Sequence, residues 1–319
     1  DSLMSNRLTR RRFLSISAAG AAVAAGDPSA VMASQGHLTR WNGQALGAPV
    51  SMRLSGVSTQ QARPVFKAVE RELALLERVF SLFDRQSELS RLNAAGRLTA
   101  PCAVLVSVLR LCDRLHTASQ GAFDPTVQPL WELYAHAVRN GVSVDRKSEA
   151  DMRKRIGWRY VHFDADEICL KRPEMALTLN GIAQGYVTDQ IAALLRRRGL
   201  TDVLIDMGEI AAIGQRADSS GWSVGVAMPD GTLINRITLK DRALATSSPS
   251  GTVLGSQGRI GHILDPRSAG RGGMHQLVSV SSHSAAIADG ISTAGCLMSH
   301  PELMQTIGSF PKTKLENLI

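Results

Sequence analysis

The stretch Thr178-Leu179-Asn180-Gly181-Ile182-Ala183-Gln184-Gly185-Tyr186 reads as a loop that runs straight into a helix. Val187, Ile191, Leu194 and Leu195 continue one face of that helix, Arg196 to Arg198 fill its last turn, and Gly199 stands at the stop position. Cationic side chains complement the negative end of the helix dipole, and glycine takes the left-handed conformation that ends the helix. Val203-Leu204-Ile205 follows as a short apolar strand. Within this loop–helix–strand unit, Gly181 and Gly185 allow close backbone approach, and the free N–H groups of a helix start suit phosphate. The spacing is neither a GxGxxG fingerprint nor a Walker loop, so on its own it equally describes a glycine-assisted helix packed on a sheet.

On either side of this unit the pattern mixes the two periodicities. Residues 50 to 55 alternate like a half-buried strand, and Phe66, Val69, Leu73, Leu76 and Phe80 recur at helical spacing. A second helix is expected over Val104 to Thr117, and a polar surface excursion between subdomains over residues 138 to 156. Val161-His162-Phe163 and Glu167 to Leu170 suggest a hairpin around Asp164-Ala165-Asp166. Strands are expected near Ser223 to Ala227, Ile234 to Leu239 and Leu277 to Ser281, and a final helix over Ala285 to Met298. The order is that of an α+β fold, not a regular βαβ alternation.

The 319 residues fill one large domain or two modest ones; 44% are hydrophobic and 20% charged, an ordinary globular composition. Four cysteines without CxxC or zinc-ligand spacing exclude a disulfide scaffold and read as small buried hydrophobes. The net charge is +8, of which residues 1–33 contribute +2 through four arginines against two aspartates. With aromatics at only 4%, there is little material for base stacking, and no nucleic-acid partner is expected. Thr9-Arg10-Arg11-Arg12-Phe13-Leu14, the mild apolar run Ser15 to Gly26 and Val31-Met32-Ala33 form a twin-arginine leader with a small-residue cleavage site. Residues 1–33 are therefore expected to be a signal peptide and residues 34–319 the working domain, delivered to the periplasm by the twin-arginine machinery.

Chemistry concentrates in a few places. In Ser284-Ala285-Ala286-Ile287-Ala288-Asp289-Gly290-Ile291-Ser292-Thr293, Asp289 and Thr293 stand four apart on a helix and share a face. A carboxylate and a hydroxyl there suit a hard cation such as Mg²⁺, though the same pair also describes a plain polar helix face. Ser284 is a natural N-cap. Gly121-Ala122-Phe123-Asp124-Pro125-Thr126 is an Asp-Pro turn in which Phe123 and Asp124 could meet an aromatic ligand. His262-Ile263-Leu264-Asp265-Pro266-Arg267 is a second such turn, its histidine more often structural than catalytic.

Taken in order, these segments resemble the ApbE family of FAD:protein FMN transferases. The matching pieces are Leu46-Gly47-Ala48, Phe83-Asp84 with Ser87 to Asn93, Gly121 to Thr126, Gly181 to Tyr186, Ala245-Thr246-Ser247, His262 to Arg267 and Ala288 to Thr293. The twin-arginine leader with Leu179-Asn180-Gly181 and Ile205-Asp206-Met207-Gly208-Glu209 is most similar to the NosX subgroup. The resemblance implies a T-fold-like architecture of two subdomains with FAD in the cleft between them. It implies Mg²⁺-dependent transfer of FMN from FAD to a Thr or Ser hydroxyl of a membrane-bound acceptor, NosR in nitrous oxide respiration, with AMP released. It places the metal on the Gly181 carbonyl, Asp289 and Thr293 with Ser292 adjacent, and FAD on Leu46, Phe83, Ala122, Phe123, Asp124, Thr178, Gln184 and Leu264. Asp289 would carry the catalysis and His262 could accept a proton. The family commonly has Asp at position 178 and Lys at position 184, so Thr178 and Gln184 change the charge expected around the diphosphate. A non-catalytic exported FAD carrier and an Mg²⁺-dependent FAD pyrophosphatase are the rival readings.

Overall fold

The computed structural model describes residues 21–22, 38–251, 261–268 and 273–319; apart from Ala21–Ala22, the expected leader lies outside the described residues. In chain order the elements begin with β1 (Ala21–Ala22), β2 (Leu38–Ala45), β3 (Ala48–Ser55), α1 (Thr59–Phe80), α2 (Glu88–Ala95), β4 (Arg97–Thr99) and α3 (Ala103–Ala118). There follow α4 (Gln128–Asn140), α5 (Arg146–Arg153), β5 (Val161–Phe163), β6 (Glu167–Leu170), α6 (Ala183–Arg197), β7 (Val203–Asp206) and β8 (Ile210–Ile213). The chain continues through β9 (Trp222–Ala227), β10 (Leu233–Leu239), β11 (Ala243–Ser247), β12 (Val278–Ser282), α7 (Ala285–Gly295), α8 (His300–Gly308) and β13 (Lys314–Leu318).

Seven strands form one antiparallel sheet in the order β13-β12-β11-β8-β7-β3-β2. Because successive strand side chains face opposite ways, β7 serves two cores. Val203 and Ile205 join the main core under the helices, whereas Leu204 joins Trp222, Val224 and Val226 of the small β9–β10 sheet that covers the other face. A third sheet, β4-β6-β5, contains the expected hairpin, its turn tied by Asp164 accepting the Asp166 and Glu167 N–H groups. A smaller core joins α4 to the returning chain through Leu130, Trp131, Tyr134, Ala135 and Leu264. The α+β reading holds.

On the helix side, α6 and α7 lie against each other and against the sheet. α7 is buried almost throughout because most of its side chains are small: Ala285, Ala286, Ala288, Gly290, Ser292 and Ala294. A Cβ on Gly185 would stand 2.5 Å from the Ala285 carbonyl oxygen, so only glycine lets the two backbones touch.

One expectation needs correction and another gains detail. The last helix ends at Gly295, not Met298; Ser299 and Glu302 then form a capping box that opens α8, before β13 adds an edge strand. The excursion over 138–156 contains α5, capped by Asp145, which accepts the Lys147 and Ser148 N–H groups. None of its residues is fully buried, so no apolar stripe marks it.

Candidate active site

One cleft, about 780 Å³ including its open mouth, gathers residues from five distant segments. Its polar wall is Asn180 and Gly181 before α6, Asp289 and Thr293 on α7, and Ser247 and Ser248 at the end of β11. Its more apolar wall is Ala122, Phe123, Asp124, Val127, Trp131, Ile263 and Leu264, with Thr178 and His262 also on the lining.

Asp289 is 1% exposed, and its Oδ2 accepts the Gly185 N–H at 3.1 Å. Burial raises its carboxyl pKa to about 7, against the pull of that N–H, and the nearby Asp189 adds to the rise. A group so poised holds a proton weakly near neutral pH and gains most from a cation. Thr293 Oγ1 is 3.3 Å from Ser247 Oγ, and a Cβ on Gly181 would come within 3.0 Å of the Thr293 methyl. Gly181, Asp289 and Thr293 thus stand together as oxygen donors at one end of the cleft, a set that suits Mg²⁺.

Behind this wall lies a fully buried carboxylate, Glu209, whose pKa is pushed well up by desolvation and then by Asp289 and Asp206. Its Oε2 and the Gln184 Oε1 find no hydrogen-bond partner among the described residues.

The apolar wall is fixed by backbone ties. Asp124 caps the turn at Pro125–Val127, its Oδ1 accepting from Thr126 N at 2.8 Å and Thr126 Oγ1 at 2.6 Å. Burial raises its pKa, while the Thr126 donors and His116 oppose the shift. The Thr178 N–H donates to the Pro125 carbonyl, and Asn93 brackets the Leu177 backbone with both ends of its amide. At the other end, Asp265 holds Arg267, whose Nη2 reaches the Leu297 carbonyl at 2.7 Å beyond α7.

Of the residues singled out in sequence, Ala122, Phe123, Asp124, Thr178, Gly181, His262, Leu264, Asp289 and Thr293 line the cleft. Phe83 instead lines an adjoining recess, which shares Trp131 and Asn180 with it. Three more line neither. Leu46 sits at φ +48° in the β2–β3 turn, its N–H donated to Glu77 Oε1, so its role there is to turn the hairpin. Gln184 points to the far side of α6, 4% exposed and packed against Gly208. Ser292 faces the sheet: its hydroxyl bonds to Ser247 Oγ at 2.8 Å and to the Asp289 carbonyl. Adjacency along a helix misleads here, because neighbours are 100° apart around its axis. Sequence reasoning gave no individual role to Ser247, Ser248, Trp131, Asn180 or Asp189; Ser247 and Asn180 carried a signal, as parts of the Ala245-Thr246-Ser247 and Leu179-Asn180-Gly181 segments.

This arrangement, an antiparallel sheet backing a cleft in which the 181 and 289 segments meet, defines the class. The chain belongs to the ApbE family, whose sequence model matches residues 46–317. It is 25% identical over 282 residues to an FAD:protein FMN transferase of Klebsiella pneumoniae (strain 342), covering 83% of this chain and 80% of that one. It is 29% identical over 239 residues to an FAD:protein FMN transferase of Vibrio cholerae, covering 70% and 71%. Among solved structures, it shares the fold of the flavin transferase ApbE from Vibrio cholerae (TM-score 0.77, 22% identity, 88% and 93% covered). The ApbE protein from Thermotoga maritima is similar as well (TM-score 0.76, 26% identity, 88% and 93% covered).

Proposed function

We propose that this chain is an Mg²⁺-dependent FAD:protein FMN transferase, exported by the twin-arginine route and acting in the periplasm on a membrane-bound, NosR-like acceptor. The observation that carries the chemistry is the convergence of Gly181, Asp289 and Thr293 on one end of a cleft whose other wall is apolar and aromatic. The names of the relatives support the activity. The leader and the NosX-like motifs support the compartment and the acceptor.

The apolar wall, with Phe123, Trp131, Ile263 and Leu264, offers flat surface to a flavin or adenine ring. The polar wall lies where the diphosphate would then fall. The Gly181 carbonyl, Asp289 and Thr293 would hold Mg²⁺, which when bound neutralises charge on diphosphate oxygens. In the transfer, the acceptor's hydroxyl oxygen bonds to the FMN-side phosphorus, and the bond from that phosphorus to the oxygen of AMP breaks. The hydroxyl proton passes to a base, a role for which His262 stands on the cleft lining. Phosphoryl transfer of this kind relies on positioning and charge stabilisation, and no covalent protein intermediate is required.

The test is to incubate the purified protein with FAD, Mg²⁺ and a flavin-accepting domain. In-gel fluorescence is read after denaturation, and AMP by chromatography. Fluorescent acceptor with equimolar AMP is expected. AMP without labelled acceptor would mean FAD hydrolysis, and neither product would mean a flavin carrier; both defeat the proposal.

A further inference from the structure

We infer that Asp189 is a positioning residue for the cation-binding face of α7: it grips the first turn of that helix from α6 and so sets where Asp289 and Thr293 stand. The inference rests on the reading of Asp289 given above. Asp189 Oδ1 accepts the Ala285 N–H at 2.7 Å, and its Oδ2 accepts the Ser284 hydroxyl at 2.6 Å and the Ala286 N–H at 3.1 Å. Ser284 Oγ in turn accepts the Ile287 N–H at 3.2 Å. The first three N–H groups of α7 are thereby satisfied, two of them by a carboxylate nearly a hundred residues earlier in the chain.

One turn along, the direction reverses. The Gly185 N–H of α6 donates to Asp289 Oδ2 on α7. Gly185 and Asp189 are four apart on α6, and Ala285 and Asp289 are four apart on α7, so both stitches lie on facing stripes. Two bonds of opposite polarity, one turn apart, fix both the slide and the rotation of α7 against α6. A local cap would satisfy the same N–H groups without fixing either. The borrowed carboxylate is also partly buried, and that burial raises its pKa, so it is a costlier cap than a serine alone. That cost is understandable where a small misplacement of a reacting group is expensive in rate.

The experiment uses the full chain and three variants. Asp189→Asn removes one acceptor oxygen at nearly constant size. Asp189→Glu keeps both oxygens on an arm one methylene longer, and serves if the Asn variant fails to fold. Ser299→Ala strips the cap of α8 and controls for general destabilisation. Hydrogen exchange in peptides spanning 284–292, Mg²⁺ affinity by calorimetry, and kcat and KM for FMN transfer are measured for each.

For Asp189→Asn, we expect exchange at Ala285 and Ala286 to quicken about tenfold, with Mg²⁺ affinity and kcat at saturating FAD falling by a similar factor. KM for FAD should stay within about twofold, because the aromatic wall is untouched. Asp189→Glu should fall between Asn and wild type, and Ser299→Ala should lower the melting temperature alone. The inference is overturned if the Asp189 variants exchange faster yet keep wild-type Mg²⁺ affinity and kcat, or if exchange does not change. A wild-type chain that binds no Mg²⁺ would sink the reading of Asp289 and this inference with it. That failure is distinct from a wild type that binds Mg²⁺ beside a variant that binds it equally well.

Discussion

The two walls of the cleft are built by different means. The polar wall is set by backbone contact: Gly185 against Ala285, Gly181 against Thr293, and an N–H to carboxylate bond at its centre. The aromatic wall is set by side-chain bulk, with Phe123, Trp131 and Leu264 filling space over loops tied by Asp124 and Thr178. Backbone contacts tolerate no added methyl, whereas side-chain packing degrades by degrees. Catalysis should therefore be brittle on the first wall, and cofactor affinity graded on the second.

The largest effect should come from Asp289→Asn. Transfer at saturating FAD should fall about a hundred- to a thousandfold, as when a single charge-stabilising group is lost elsewhere. The melting temperature should hold, since a buried charge is replaced by a neutral amide of equal size. A variant that labels its acceptor at the wild-type rate without Mg²⁺ would erase the contrast between the walls.

Next is Gly185→Ala. Its Cβ would meet the Ala285 carbonyl oxygen at 2.5 Å, so α7 must move. A loss of about 1–3 kcal/mol in urea unfolding is expected, together with weaker Mg²⁺ binding. An unchanged midpoint would show that the polar wall is softer than its geometry implies.

A third test is pH. Because the folded Asp289 carboxyl is raised to about 7, the folded chain holds that proton more tightly than the unfolded chain does. Its contribution to stability is thus full below the ordinary carboxylate range and lost as pH rises through about 7. In EDTA, the wild type should lose about 1 kcal/mol more than Asp289→Asn between pH 6 and pH 8. Mg²⁺ should restore stability at the upper end, because it binds the ionised form. Parallel curves for the two proteins in EDTA would contradict this.

The smallest effect belongs to the aromatic wall. Phe123→Leu keeps most of the apolar volume but gives up the flat ring. KM for FAD should rise about three- to tenfold with kcat unchanged, in line with about 1 kcal/mol for an aromatic contact. A fall in kcat instead would mean that this wall also sets the geometry of the reacting phosphate.

Local periodicity made much of this legible. α1 showed as an apolar stripe, β3 as an alternation, and the end of α6 as three arginines and a glycine, because each of these patterns is completed within a few residues. Asp289 and Thr293 were readable for the same reason, being one helical turn apart. Gln184 and Ser292 lie in the same motifs, but which way a helix rolls depends on what it packs against. Gln184 rolls under Gly208, and Ser292 turns to Ser247.

By itself, then, the chain determined its periods, its turns, the family it resembles and the helix that carries its acidic residue. Tertiary structure alone decided that α6 and α7 touch at Gly185. It also decided that Asp189 caps a helix from nearly a hundred residues away, and that Ser247 and Trp131 face one cleft. The physical reason is range. Propensity and capping act over one or two turns of chain, whereas burial and backbone contact select among partners that no spacing in the sequence records.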